Sequence, residues 1–379
     1  MIYFDNAATT FPKPKRVGRH MKHFLERSCA NPGRGGHKLS RIAGRKVTKA
    51  RKNLATFLGI EDPLRLIFTF NDTLALNMGI HGVLKPGDHV ITTVYEHNSI
   101  LRPLMKLSKT GVEVSILDGN MNGEISLEQL MSMIKGNTKM VALCISSNVL
   151  GNILPVAEIG RICRETGKLL LVDGAQGIGT LPIDVEKMCI DLLAFPGHKG
   201  LYGPMGTGGL YIGERANVDD IIQGGTGTVS ENIEQPDTFP DRYESGTSNA
   251  VGIWGLNAGL EFVKGKGIKN IKKHEDKLTN ILIKGLSDIK GVKILGEDMK
   301  ERMPIVAFNI GDMHSTKAAS ILDKKYNIAT RGGLHCAGLF HRMAGTIKQG
   351  AVRVSPGYFN TKEEVCKFIK AVREIAKKQ

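Results

Sequence analysis

The sequence predicts an α/β fold, in which a large domain with a mainly parallel central sheet is joined to a smaller α+β domain. Short runs that are apolar on both faces recur along the first half of the chain, which is typical of strands buried between helices. Segments of helical period separate these runs, as parallel strands require. The 379 residues include 45 glycines, and this abundance favours many tight turns between strands and helices.

The large domain is expected to span residues 13–260. Its pattern is helical from about residue 15 to 58, with a glycine-rich loop at 31–37, and strands then alternate with helices. The predicted strands are Leu66–Phe70, His89–Val94, Val112–Leu117, Met140–Ile145, Lys168–Val172 and Leu192–Phe195, and the predicted helices between them include Ser126–Ile134 and Val156–Glu165.

The smaller domain is expected to combine an extended arm, residues 1–12, with residues 261–379. The amphipathic segment Val251–Lys264 follows a glycine-rich stretch and is predicted to be the helix that leads into this domain. The pattern beyond it favours an antiparallel sheet covered by helices. The predicted helices are Lys272–Leu286, Ser315–Lys325 and Thr361–Lys377, and the predicted strands are Val292–Ile294, Val306–Ile310 and Val352–Ser355.

The composition disfavours nucleic-acid binding and membrane insertion. Lys and Arg number 52 against 37 Asp and Glu, a net charge of +15, but the basic residues are scattered and no nucleic-acid-binding motif accompanies them. We expect this charge to aid solubility and to attract anionic substrates and phosphate groups. No apolar run reaches the length of a membrane span, so we expect no membrane partner.

The six cysteines form no C-x-x-C pair, so the sequence predicts no metal site and no disulfide framework. The opening segment, MIYFDNAATT, lacks the charged and apolar regions of a signal peptide. We therefore expect a cytoplasmic protein whose thiols are reduced.

Polar side chains follow four of the predicted strands, at the point where each strand ends. They are His97, Asn148, Asp173 and the pair His198 and Lys199. Ligands of open α/β sheets bind beyond the carboxyl ends of the strands. An imidazole, an amide, a carboxylate and an amine are therefore expected at one rim of the sheet.

This set of groups suits pyridoxal 5′-phosphate (PLP), which needs a lysine for a Schiff base and a carboxylate to keep its ring nitrogen protonated. Lys199 and Asp173 lie one strand–helix unit apart. Each residue alone has an ordinary explanation, since Asp173 can cap a helix, Lys199 can be solvated and Asn148 can belong to a turn. Their conjunction points to PLP or another Schiff-base site.

The glycine-rich segment 203–209 (GPMGTGG) is the nearest approach to a nucleotide-binding motif. It follows Lys199 without opening a strand–helix unit, and the chain has no G-x-x-x-x-G-K-[ST] sequence. We interpret it as a segment that permits close chain packing near the cofactor.

Seven segments together resemble one family of enzymes. In chain order they read YFDNAATT, YEHNSILRP, SSNVLGNILPV, LLLVDGAQ, FPGHKGLYGPMGTG, YESGTSN and RGGLHCAG. Through them the chain is similar, nearly end to end, to class V aminotransferase-fold enzymes, and specifically to cysteine desulfurases and selenocysteine lyases. The resemblance implies PLP as the cofactor and a structure of PLP fold type I.

The resemblance also implies a role for each cofactor-binding residue. Lys199 would be the catalytic Schiff-base lysine and Asp173 the partner of the pyridinium nitrogen. The remaining cofactor contacts would be His97, catalytic and stacked on one ring face, Ala175 on the other face, Gln176 and Asn148 near the phenolic oxygen, and His198 and Thr73 at the phosphate, with Asp72 beside them. Gly246 and Thr247 resemble a phosphate contact from the neighbouring subunit, which implies a homodimer.

Cys336 resembles the sulfur nucleophile of the group II form of this family. Cysteine is commonly a small buried apolar residue, but Cys336 lies in a polar, glycine-rich loop beside Arg331 and His335. Positive neighbours favour the thiolate that such a nucleophile requires. Arg353 resembles the arginine that grips the substrate carboxylate, with Asn148 and Arg331 as further substrate contacts.

Four positions depart from the family pattern. The usual phosphate loop carries small and hydroxyl residues where this chain has Phe70-Asn71-Asp72-Thr73, and Asp72 would be unfavourable near a phosphate unless it points away or caps the helix. The other departures are Pro196 for a serine, and Asn98 and Leu334 for histidines. They affect substrate preference and phosphate affinity rather than the fold.

The resemblance implies a cysteine desulfurase that converts L-cysteine to L-alanine and passes the sulfur, through a persulfide on Cys336, to a protein or small-molecule acceptor. A selenocysteine lyase acting on selenocysteine stays open and would depend less on Cys336. An aminotransferase or β-lyase with the same electron sink also stays open. A non-enzymatic PLP-fold scaffold is disfavoured, because both Lys199 and Asp173 are present.

Overall fold

The computed structural model describes residues 1–33 and 35–378. The strands in these ranges are β1 (Ile2–Tyr3), β2 (Leu66–Thr69), β3 (His89–Thr93), β4 (Glu113–Leu117), β5 (Thr138–Cys144), β6 (Leu169–Asp173), β7 (Leu192–Pro196), β8 (Gly208–Ile212), β9 (Val292–Ile294), β10 (Val306–Ile310), β11 (Ile328–Ala329), β12 (Arg331–Gly333) and β13 (Ala351–Val354). The helices are α1 (Lys15–Arg27), α2 (Lys38–Leu58), α3 (Asp72–Val83), α4 (Asn98–Ser108), α5 (Leu127–Met133), α6 (Val156–Glu165), α7 (Ala250–Lys266), α8 (Ile268–Ser287), α9 (Ser315–Tyr326), α10 (Gly338–Met343) and α11 (Lys362–Ala376).

The larger sheet has seven strands in the order β2-β8-β7-β6-β5-β3-β4. The strands from β7 to β4 in this order pair in parallel, and β8 pairs antiparallel with both of its neighbours. β3, β6, β7 and β8 are buried along their whole length, because helices cover both faces. The mainly parallel central sheet expected from the sequence is confirmed.

Two hydrophobic cores lie on opposite faces of this sheet, as the alternation of side chains along each strand requires. In β6, Leu170 and Val172 belong to one core, whereas Leu169 and Leu171 belong to the other. The first core includes side chains from α2 and α6, and the second is built largely on α3 and α4. The helices thereby hold the strand ends at fixed positions relative to one another.

The second sheet has four antiparallel strands in the order β12-β13-β10-β9, and α8, α9 and α11 contribute to its hydrophobic core. The N-terminal arm is tied to this part of the chain, since β1 pairs in parallel with β11 and Asp5 bridges to Ser355. The antiparallel α+β layer expected from the sequence is confirmed. The domain boundary after residue 260 stays a prediction, and α7 runs across that position.

All six strands predicted for the large domain are present, with ends displaced by no more than two residues. Strand β8 was not predicted, because its first residues belong to the glycine-rich segment 203–209. That segment does permit close packing, since a Cβ atom on Gly203 would lie 2.7 Å from the carbonyl oxygen of Gly197. None of the helices that the structure describes is long and apolar enough to cross a membrane.

Candidate functional site

A cavity of ≈ 560 Å³ opens at the carboxyl ends of the central parallel strands. Parallel strands deliver the residues that follow them to the same edge of a sheet. Nine of the residues singled out from the sequence line this cavity, namely Asp72, Thr73, His97, Asn148, Asp173, Ala175, Gln176, His198 and Lys199. The polar side chains that follow the strands therefore lie together, as expected from the sequence.

Lys199 lies in a tight turn three residues after β7. A Cβ atom on the next residue, Gly200, would lie 2.2 Å from the carbonyl oxygen of Ile178, so only glycine allows the chain to pass there. The backbone N–H of Tyr202 donates to the Lys199 carbonyl at 2.8 Å. These contacts hold the backbone of the turn while the lysine side chain enters the cavity.

The amine of Lys199 and the carboxylate of Asp173 are the central opposite charges of the cavity. Burial lowers the pKa of Lys199, against the opposing effects of the carboxylates of Asp173 and Asp72. Asp173 ends β6, and its Oδ1 accepts the N–H of Ala175 at 2.8 Å. That bond belongs to a turn and not to a helix cap. A lysine with an increased neutral fraction is suited to nucleophilic and proton-transfer chemistry.

His97 is the last residue of the connection from β3 to α4, and its ring is fixed by a local hydrogen bond. Its Nδ1 lies 2.9 Å from the Ser99 hydroxyl and accepts the Ser99 N–H at 3.1 Å, so it is also the N-cap of α4. The Ser99 hydroxyl lies 2.8 Å from that of Thr73. Burial lowers the pKa of His97, with Asp173 opposing, so the imidazole is held neutral.

His198 is also held neutral, because burial, Lys199 and Lys13 lower its pKa to about 4. Its Nδ1 is buried and has no partner among the described residues. The carbonyl oxygen of His198 accepts a hydrogen bond from the Lys13 amine at 2.6 Å. His198 thus presents an unpartnered ring nitrogen at the cavity, and the amine of Lys13 lies at its backbone carbonyl.

The Asp72 side chain neither caps α3 nor points away from the cavity. The N-cap of α3 is Asn71, whose Oδ1 accepts the N–H of Leu74 at 2.9 Å. Asp72 instead lines the cavity together with Asp173 and Lys199. Asp72 thus meets neither of the two conditions set out from the sequence, because the neighbouring asparagine already supplies the cap and the Asp72 side chain lines the cavity.

Asn148 links the cavity to two other parts of the site. Its Nδ2 donates to the carbonyl of His335 at 2.7 Å, and its own carbonyl accepts from the Nη1 of Arg353 at 3.0 Å. Its Oδ1 is buried and has no partner among the described residues. Gln176 lines the same cavity and donates from Nε2 to the Ala7 carbonyl at 3.1 Å.

The Cys336 loop lies against the cavity rim without lining the cavity. The backbone N–H of Asn98, next to His97, donates to the Cys336 carbonyl at 2.8 Å. His335 and Cys336 have φ of +50° and +58°, an uncommon backbone conformation for two consecutive non-glycine residues. The hydrogen bonds from Asn98 and Asn148 hold this conformation and leave the cysteine exposed.

Two cysteines lie near this site, and they differ in exposure. Cys144 ends β5 and lines the cavity, but it is buried, and burial raises the pKa of its thiol well above the usual range. Cys336 is exposed and interacts electrostatically with Arg331. The expectation that His335 adds a second positive charge is wrong, since burial and Arg353 lower its pKa to about 3.

Arg353 and Arg331 converge on Asp5 of the N-terminal arm. Arg353 is buried, and its Nη2 donates to Asp5 Oδ1 at 2.9 Å. Arg331 is exposed and donates from Nε and Nη2 to Asp5 Oδ2 at 3.0 and 2.8 Å. The Nε of Arg353 is buried without a partner among the described residues. The Nε–H group of the buried Arg353 is therefore available to a ligand.

Gly246 and Thr247 do not join the cluster. Both are exposed, and Thr247 lines a separate cavity with Phe70, Ile222 and Tyr243. Their predicted contact with a phosphate on a neighbouring subunit stays a prediction.

Sequence reasoning missed Asp5, Ser99 and Lys13. Asp5 lies within the quoted segment YFDNAATT, but the separation of this arm from Arg331 and Arg353 along the chain conceals the ion pairs. Ser99 follows His97 by two residues. This spacing of a hydroxyl after an N-cap residue could have indicated the contact between the Ser99 hydroxyl and the His97 ring. No group of residues suited to holding a metal ion is present in the described ranges.

The chain is similar over nearly its whole length to one family of proteins. The family model described as "Aminotransferase class-V" matches residues 2–368. Proteins named "Probable cysteine desulfurase" from Methanothermobacter thermautotrophicus and Pyrococcus abyssi are each 36% identical to the chain. These alignments cover 99% and 100% of the chain and 94% of each relative.

Solved structures show the same similarity. The apo structure of a cysteine desulfurase from Thermococcus onnurineus NA1 has a TM-score of 0.94 and 35% identity, over 100% of this chain and 95% of that one. The cysteine desulfurase CsdA from Escherichia coli, in an S-sulfonic acid form, has a TM-score of 0.88 and 29% identity, over 99% of this chain and 94% of that one. The expected fold class is thus confirmed.

Proposed function

The chain belongs to the aminotransferase class-V family, and from this premise we propose that it is a PLP-dependent cysteine desulfurase. The similarity to proteins named as cysteine desulfurases extends over its whole length. One structural observation carries the proposal beyond those names. An exposed thiol, Cys336, is held by its own carbonyl to the rim of the cavity that contains Lys199.

The residues of the cavity fit PLP, whose parts need different partners. Asp173 offers a carboxylate for the pyridinium nitrogen, and His97 and Ala175 offer a flat ring and a small methyl group for the two ring faces. The unpartnered Nδ1 of His198 and the hydroxyl of Thr73 are suited to phosphate oxygens.

When bound, PLP supplies an electron sink for the charge that remains after an amino acid loses its Cα proton. Lys199 is the residue that accepts this proton, because its amine is in the cavity and its pKa is lowered. Arg353 binds the substrate carboxylate through its free Nε, while Asp5 and the Asn148 carbonyl fix the rest of the guanidinium. The substrate is thereby oriented between the cavity and Cys336.

Cys336 then takes the sulfur. Its thiolate attacks the sulfur of the substrate, so an S–S bond forms while the Cβ–S bond breaks. The electron pair of the broken bond stays with the carbon skeleton, which gains protons and leaves as alanine. The enzyme retains a persulfide on Cys336, and the exposure of this residue allows a protein or small-molecule acceptor to reach it.

Alanine release from L-cysteine tests this proposal. Cys336→Ser is expected to keep PLP bound and to lose alanine release, because serine is nearly isosteric but cannot carry a persulfide. Cys366→Ser, which alters an exposed cysteine on α11, is the matched control and should keep full activity. Unchanged turnover in Cys336→Ser would contradict the role of this thiol and favour β-lyase chemistry. Release of selenium from selenocysteine that survives the substitution would favour a selenocysteine lyase.

The proposal includes a homodimer. Phe70 and Ile222 are exposed apolar side chains that line the same cavity as Thr247, and a second chain that covers this face would remove them from water. Light scattering during dilution, with PLP occupancy measured in parallel, tests this assembly. Occupancy should fall together with association, whereas a PLP-saturated monomer would contradict the homodimer.

A cytoplasmic location is also part of the proposal. All six cysteines are free, and no disulfide joins any of the residues that the structure describes. Reduced thiols are typical of a reducing compartment. Fractionation of the source cells, followed by detection of the protein with an antibody, tests this location.

A further inference from the structure

Asp72 and Asp173 place two carboxyl groups in one cavity, and the proposed reaction uses only the second. Asp72 begins α3 and Asp173 ends β6, and the two side chains line the same cavity and interact electrostatically. The Oδ1 of Asp72 is inaccessible to solvent and has no partner among the described residues. Two negative charges that share a desolvated cavity repel each other, so a proton on one member stabilises the pair.

The charges around the pair do not neutralise two carboxylates. Lys199 is the cation that acts directly on Asp72, and it acts on Asp173 as well. Glu96 lies buried in the connection after β3 and interacts with Asp173, but it adds no cation, and burial raises its pKa to about 8. His97 is held neutral. One lysine therefore faces both carboxyl groups of the pair.

The proton is assigned to Asp72 by comparing the surroundings of the two groups. Asp173 already accepts the N–H of Ala175, which stabilises its charged form, whereas Asp72 Oδ1 accepts nothing. The N-terminus of α3 favours a carboxylate at Asp72, but this effect is smaller than like-charge repulsion in a desolvated site. Burial and Asp173 raise the pKa of Asp72 well above its usual range.

We propose that Asp72 carries the proton of a carboxylic acid–carboxylate pair with Asp173, and that this proton is retained when PLP binds. A second carboxylate in the cavity would repel the cofactor phosphate, whereas a protonated Asp72 is neutral and can donate a hydrogen bond. Asp72 is thus a positioning residue that makes PLP affinity depend on pH. The inference rests on the proposed PLP-dependent function.

The first test compares PLP dissociation constants of the wild type and Asp72→Asn between about pH 6 and about pH 9. Asparagine keeps a donor and cannot ionise, and the ratio of the two constants cancels the titration of the phosphate and of the protein groups that do not interact with Asp72. The wild-type affinity relative to the variant should fall by up to about tenfold for each pH unit above the Asp72 pKa. Glu128→Gln, at an exposed acidic position in the first turn of α5, should keep the wild-type profile.

The second test uses cofactor-free protein. The folded-state pKa of Asp72 is raised, so its ionisation destabilises the fold progressively as pH rises from the unfolded-state pKa to the folded-state pKa. Asp72→Asn should therefore raise the melting temperature relative to wild type, and the gain should be larger at high pH than at low pH. Glu128→Gln should show no such trend.

The two tests separate failure of the inference from failure of the proposed function. Parallel pH profiles of PLP affinity for wild type and Asp72→Asn would overturn the inference and leave the enzyme assignment intact. If neither protein binds PLP, the proposed function fails, and the melting temperatures alone decide the carboxyl pair. A pH-independent difference in melting temperature would overturn the pair in that case.

Discussion

The cavity around Lys199 and the loop that carries Cys336 differ in how far their reactive groups are exposed to solvent. In the cavity, burial lowers the pKa values of Lys199, His97 and His198 and so favours their neutral forms. In the loop, Cys336 is exposed to solvent near Arg331. Proton transfer needs a desolvated amine, whereas sulfur transfer to a second molecule needs an accessible thiol.

The two regions are nevertheless connected directly by hydrogen bonds. Asn98 and Asn148 hold the carbonyls of Cys336 and His335, and Asn148 also accepts from Arg353. Arg353, the proposed substrate-binding residue, therefore shares a partner with the thiol loop. Substitutions in each region should show which functions are separate and which depend on this connection.

The largest expected effect is that of Lys199→Ala. Loss of the general base alone costs about 10²–10⁴-fold in rate, and loss of the Schiff base adds to it, so turnover should be undetectable. The variant should also lack a borohydride-reducible PLP adduct, which mass spectrometry detects. Alkylation of Cys336 should be unaffected, because the loop is held by other residues.

A matched control for this variant is Lys187→Ala, at an exposed lysine away from the cavity. It should keep both the adduct and the turnover. A reducible adduct that persists in Lys199→Ala would remove this lysine from its role. Slower alkylation of Cys336 in Lys199→Ala would mean that the two regions are less separate than their contacts indicate.

Arg353→Lys should have an intermediate effect, concentrated in substrate binding. A lysine keeps the charge but cannot reproduce the guanidinium fork, so KM should rise by about 10- to 100-fold, the equivalent of one lost hydrogen bond to a charged group. The change in kcat should be smaller, since Lys199 and Cys336 are intact. Steady-state kinetics with L-cysteine measure both constants, and an unchanged KM would place the carboxylate elsewhere.

Asp5→Asn should have the smallest effect, mainly on stability. The substitution removes the negative charge shared by buried Arg353 and exposed Arg331 but keeps one acceptor oxygen. We expect the free energy of unfolding to fall by about 1–3 kcal/mol, because a buried cation loses its counter-charge. Urea unfolding measures this change.

The control for this variant is Asp219→Asn, which breaks the exposed ion pair with Lys85. Surface pairs contribute less than about 1 kcal/mol, so this change should be smaller. Equal losses in the two variants would indicate that the Asp5 cluster is no stronger than a surface ion pair.

Much of the fold was predictable because buried parallel strands can be recognised in the sequence as continuous apolar runs. Strand β8 escaped because it begins with two glycines, and β12 escaped because Arg331–Gly333 has no apolar residue. Their pairing comes from neighbouring strands, which supply the hydrogen bonds that local sequence does not indicate.

The cavity was predictable for a similar reason, since the order of strands along the chain brings their ends together. The partners of Arg353 were not predictable, because Asp5 reaches it only through the fold of the arm. The neutral state of His335 was also missed, since burial is a property of the packed loop. The position of Asp72 depended on which neighbouring residue capped α3.

Mapping the persulfide by mass spectrometry tests most directly whether Lys199 and Cys336 perform separate, successive steps. Wild-type protein mixed with L-cysteine should gain one sulfur atom on the peptide that contains Cys336. Lys199→Ala should gain none, although its Cys336 is intact and exposed. Sulfur on a different cysteine of the wild type, or on Cys336 in the absence of Lys199, would contradict this account.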